Sequence, residues 1–67
     1  MNISINGNKT DVPENALLIA VLEMQNIANT KGVAIAVNNT VIQRQEWSSL
    51  ALKENDNLLI IKATQGG

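Results

Sequence analysis

The residues best suited to chemistry are the last two, Gly66 and Gly67. At a glycine frequency of about 7%, such a pair arises by chance only about 0.5% of the time, so it asks for an explanation. Glycine has no Cβ, and backbone that ends in it enters a slot too narrow for any side chain. What reaches the far end of the slot is a bare carboxylate. One reading makes that carboxylate a substrate, activated and modified by another enzyme. The other makes it a frayed end or a cloning scar, since termini are often disordered. The two glycines alone leave both open.

Other chemistry is hard to build from this chain. Its 67 residues contain neither histidine nor cysteine, which removes the usual neutral-pH base, the usual nucleophile pairs and the usual metal ligands. Ser4, Ser48 and Ser49 have no base to activate them. Glu54 and Asp56 are the one pair of carboxylates close enough to work together, and they read as an exposed, solvated turn. Four glycines, two of them terminal, make no phosphate-binding loop. The net charge of −1 is scattered, and Trp47 is the single aromatic residue, so neither the basic stripe nor the stacking platform of a nucleic-acid binder is present. MNISINGN lacks the basic and apolar regions of a signal peptide, and the longest apolar run, residues 16–22, is too short for a bilayer. The expectation is a cytoplasmic substrate or binding module, not an enzyme, with no cofactor of its own and no nucleic-acid or membrane partner.

The elements that must carry such a terminus are legible in the spacing. Met1, Ile3 and Ile5 alternate with polar residues, a strand with one wet face. Gly7-Asn8 reads as a turn and residues 9–12 as the returning strand. Asn15 is the expected N-cap of a helix over residues 16–25, with Leu17, Leu18, Val21 and Leu22 on one face and Met24 nearby. That helix is expected to fray through residues 26–30. VAIAV at 33–37 is apolar throughout, as a strand inside a sheet should be. Asn38-Asn39 makes a tight turn into a short strand at 40–42. Residues 43–52 are less regular, with a helical turn expected near 48–50. Residues 55–57 form a turn before a last strand at 58–62, and residues 63–67 form a flexible tail. One domain over residues 1–62 therefore carries the tail. Its fold class is α+β: a mixed sheet of four to five strands with one main helix packed across it.

The last strand supplies a second clue. If Leu58 and Ile60 point into the core, Leu59 and Ile61 point out, just ahead of the tail. They read as a docking patch or, alternatively, as apolar residues covered by a loop or tolerated singly. Trp47 reads as a cover for one end of the core. Arg44 is either an ordinary surface arginine or a contact for an acidic partner surface.

Taken together, MNISINGN, ALLIAVLEM, VAIAVNNTVIQRQEW and LKENDNLLIIKATQGG resemble the ThiS sulfur carriers of thiamine biosynthesis along the whole chain. The Arg44, Glu46 and Trp47 segment leans most toward that family. The resemblance implies a ubiquitin-like β-grasp fold. It also implies that a ThiF-like adenylyltransferase uses Mg-ATP to adenylate the Gly67 carboxylate. A persulfide sulfur donor then converts it to a thiocarboxylate, and a ThiG-like thiazole synthase takes the sulfur. Gly66 and Gln65 would pass through the slot, and Leu59, Ile61 and Arg44 would dock. Gln43 stands where the family pattern has proline, Asn55 where it has glycine, and Leu59 where a polar residue is common. A molybdopterin-synthase small-subunit-like carrier, a ubiquitin-like modifier and a plain interaction module are the competing readings.

Overall fold

β1 (Asn2–Ile5) buries Ile3 and Ile5 and turns Asn2 and Ser4 to the opposite face, as a period of two requires. The computed structural model describes residues 1–28 and 31–62. β1 pairs with β2 (Asn8–Asp11) through a two-residue hairpin. Its loop is Asn6-Gly7, one residue earlier than the expected Gly7-Asn8. Both loop residues have positive φ, 50° and 84°, because only such a turn matches the twist of the flanking strands. The same logic operates at Asn38-Asn39, with φ of 51° and 71°, between β3 (Val33–Val37) and β4 (Thr40–Ile42). That turn lies where it was expected.

β5 (Asn57–Lys62) inserts at the centre of a five-stranded sheet of order β2-β1-β5-β3-β4. It runs parallel to β1, with Ile5 beside Leu58, and antiparallel to β3, with Ile35 beside Ile60. Two asparagine side chains complete its ladder where neighbouring strands turn away. Ile60 N–H donates to Asn6 Oδ1 at 2.8 Å, and Asn57 N–H donates to Asn38 Oδ1 at 2.9 Å.

The helix is shorter than its sequence pattern. α1 spans Leu18–Met24, and Asn15 does not cap it; Asn15 sits in a preceding turn at φ 60°. Leu17 is extended and bridges Ala51, and the helix's free N–H groups are met from a distance. Leu18 N–H donates to Leu50 O at 2.8 Å and Ile19 N–H to Trp47 O at 2.9 Å. Tertiary carbonyls therefore do the work of a local cap. Leu18, Val21 and Leu22 are buried, whereas Leu17 and Met24 are largely exposed. Through residue 28 there is no frayed end. Asn26 takes the left-handed conformation at φ 62°, and Ile27 N–H reaches back to Leu22 O at 3.0 Å. This is a Schellman closure, and its apolar residue, Ile27, is buried.

The segment after β4 also differs from its sequence pattern. The short helical turn is η1 (Arg44–Glu46), earlier than the expected 48–50. A capping box between Gln43 and Glu46 starts it, with Gln43 N–H donating to Glu46 Oε1 at 3.2 Å. The turn delivers Trp47 into the core, where it is 2% exposed and its Nε1 donates to Ile42 O at 3.2 Å. Ile3, Ile5, Leu18, Val21, Leu22, Ile35, Leu52 and Leu58 complete a core that fills the space between one helix and one face of the sheet.

Asp56 also departs from expectation. It is buried, not solvated: Asn38 Nδ2 donates to its Oδ1 at 2.9 Å and Lys53 N–H to its Oδ2 at 2.7 Å. The carboxylate fastens the β3–β4 turn to the turn that launches β5. Glu54 is instead exposed and accepts from Asn2 N–H at 3.2 Å.

Candidate functional site

The alternation of β5 creates an outer face distinct from the core. Leu58 is fully buried and Ile60 partly so, while Leu59 is 45% and Ile61 48% exposed. The expected outward placement of Leu59 and Ile61 is what the structure shows. Register extends the patch across the sheet. Leu59 lies opposite Ala36, and Ala36 lies opposite Val41 on the far side, so the three form one row. Ile61 lies opposite Ala34. The row is apolar throughout, with the small Ala36 nearly buried between its larger neighbours. Val41, at 68% exposure, is the most open large hydrophobic residue of this face. Sequence reasoning did not single it out. The signal was there: in a strand Thr40–Ile42 with Ile42 turned inward, Val41 must turn outward.

Arg44 lies elsewhere. Its guanidinium stacks over the Trp47 ring, 4.5 Å from the centroid, and its Nη1 donates to Ala28 O at 3.4 Å. Both neighbours belong to the helix side, since Trp47 is in the core and Ala28 packs against it. The cation–π contact and the carbonyl hold the side chain in place while leaving it exposed. Leu59 and Ile61 thus share a surface, and Arg44 belongs to a neighbouring one. Gln65, Gly66 and Gly67, and with them the expected flexible tail, lie outside the described residues.

No constellation for catalysis is assembled among the described residues. No three His, Cys, Asp or Glu side chains gather as metal ligands there. Ser49 Oγ is spent on the carbonyl of Glu46, 3.3 Å away. No described helix is long and apolar enough to cross a membrane.

The described residues thus form a small β-grasp domain with an apolar outer face beside its last strand. The ThiS family matches residues 2–67. The chain belongs to the ThiS family. A crystal structure of the thiamine biosynthesis protein ThiS from Geobacter metallireducens is similar over 100% of both chains, with a TM-score of 0.85 and 23% identity. A solution structure of a thiamine biosynthesis protein from the same organism has a TM-score of 0.79 at 23% identity, over 100% of this chain and 88% of that one. These two likenesses establish the fold. No curated protein sequence matches the chain. Family membership supports a sulfur-carrier role in thiamine biosynthesis, in general partnership with an adenylyltransferase and a thiazole synthase.

Proposed function

We propose that this ThiS-family chain carries sulfur on its C-terminal Gly67 for thiazole formation. A carboxylate is a poor electrophile until it bears a good leaving group, so activation must come first. A carboxylate oxygen of Gly67 attacks the α-phosphorus of ATP on an adenylyltransferase, and pyrophosphate leaves. The terminal sulfur of a persulfide then attacks the acyl carbon, and AMP leaves. A second thiol opens the resulting acyl disulfide. It departs as a new disulfide, and the thiocarboxylate remains. Thiazole synthase takes that sulfur. Magnesium and ATP belong to the partner; this chain contributes a slim acyl end and a surface that docks.

The observation that carries this reading is the apolar row of Leu59 and Val41 with Ile61 beside it. Leu59 and Ile61 lie on β5, whose last residue, Lys62, directly precedes residues 63–67 in the chain, and Val41 lies across the sheet on β4. Exposed apolar residues gathered in this way suit a protein partner better than solvent. The five residues from 63 to 67 extend at most about 17 Å, enough to take the carboxylate from the domain surface into a buried site.

Mass spectrometry tests the proposal. The chain is incubated with adenylyltransferase, Mg-ATP and a sulfur source. A gain equal to the mass of sulfur less that of oxygen supports the carrier. An isopeptide adduct would indicate a modifier instead, and no ATP-dependent change would indicate a plain interaction module. Transfer to a molybdopterin precursor in place of the thiazole pathway would reassign the acceptor.

A further inference from the structure

The central strand is not flanked equally along its length. Alternation fixes which backbone groups face which neighbour. Asn57, Leu59 and Ile61 bond toward β3, while Leu58, Ile60 and Lys62 face the β1 side. On that side Asn6 N–H donates to Leu58 O at 2.9 Å, and the Asn6 side chain accepts from Ile60 N–H. There β1 ends, because the chain turns back at Asn6-Gly7 into β2. Among the described residues nothing meets the Ile60 carbonyl or the Lys62 N–H. A sheet otherwise paired at its centre therefore has an open edge at the point where β5 leaves for the tail.

A cavity of about 230 Å³ adjoins this edge on the inner side. Ile5 and Ile60 contribute to its floor, and Asn8, Thr10, Gln25 and Lys62 give it a polar rim. Among the described residues Lys62 is the only charged one that lines it. Pockets for small-molecule ligands usually measure about 300–1,000 Å³, so this one better suits a single side chain.

We propose that this edge receives an extended segment of the activating enzyme as an added strand, in the place that β1 vacates. The segment's backbone completes the hydrogen bonds of Ile60 and Lys62. An aspartate or glutamate on it drops into the cavity against Lys62, and the next residue, pointing outward by alternation, is apolar and lies beside Ile61. Charge complementarity selects the acid, since among the described residues no carboxylate lines the cavity to oppose it. The inference rests on the carrier reading, because whatever takes up the tail must border residue 62.

Amide hydrogen exchange on the labelled full chain, free and with its adenylyltransferase, tests it. The Lys62 amide should exchange fast in the free chain and become protected in the complex, with the Ile60 amide as an internal reference. Lys62→Pro removes a donor that no described neighbour uses, and Lys62→Glu reverses the charge. Each should weaken binding about tenfold or more, while Lys62→Arg stays close to wild type. If the Gly67 carboxylate is adenylated while the Lys62 amide stays unprotected and Lys62→Glu binds normally, the added strand is wrong and the carrier reading stands. If neither adenylation nor binding occurs, both fall.

Discussion

Among the described residues six non-glycine residues have positive φ, and all six are asparagines: Asn6, Asn15, Asn26, Asn38, Asn39 and Asn55. Asparagine enters the left-handed region at less cost than other side chains. At two of the six positions the side chain also makes a bond that a glycine could not. Asn6 and Asn38 each turn the backbone and then complete β5 with the side chain. Asn39 has the turn without such a bond, so Asn39→Ala should cost about 1 kcal/mol and Asn39→Gly little or nothing, as read from urea midpoints. Asp56 carries more. Asp56→Ala leaves Asn38 Nδ2 and the Lys53 N–H without their acceptor, and should cost about 2–3 kcal/mol in the same assay. The Asn38-Asn39 turn was readable in the sequence because it depends on adjacent residues. The burial of Asp56 was not, because its side-chain partner is eighteen positions away.

At the scale of elements, the strands were the more legible part. A period of two states which residues face inward, and β3, β4 and β5 lie close to where alternation and apolar runs place them. The helix misled because its start is set by the 47–52 segment: the carbonyls of Leu50 and Trp47 occupy its first N–H groups. No local pattern reports that. Trp47→Phe keeps most of the burial but loses the Nε1 bond to Ile42. It should cost about 1–2 kcal/mol and speed amide exchange at Leu18 and Ile19 more than at Ile35. On β5 the two faces should separate experimentally. A Leu59→Asp, Ile61→Asp double variant should shift stability by only about 1 kcal/mol, since both positions are half exposed. Its affinity for the adenylyltransferase, measured by calorimetry, should fall at least about tenfold. Unchanged affinity would place the docking surface elsewhere, with Arg44 the next residue to test.

The whole molecule divides its labour by face. Helix and core occupy one side of the sheet, the Leu59, Ile61 and Val41 surface the other, and the strand that leads to the tail lies between them. A chain of this size buries only about 60% of its unfolded surface, so few core positions can be spared for function. The expected consequence is a clean separation between scaffold and terminus. Deleting Gly67 should leave the circular dichroism spectrum and melting temperature unchanged and abolish ATP-dependent modification. A truncated chain that was still adenylated would falsify Gly67 as the reactive residue. The overall architecture was legible from the order of strands and helix. The tail's role rested on composition and resemblance, because five residues without alternation or helical spacing carry no fold signal of their own.

The parallel contact between the first strand and the last has a mechanical consequence. Residues near the two ends of the domain lie side by side and run the same way. Traction on the tail, resisted at the opposite end, loads those bonds together in shear and does not peel them apart one by one. A pull applied between the two ends of the domain therefore meets both strands at once before the domain yields.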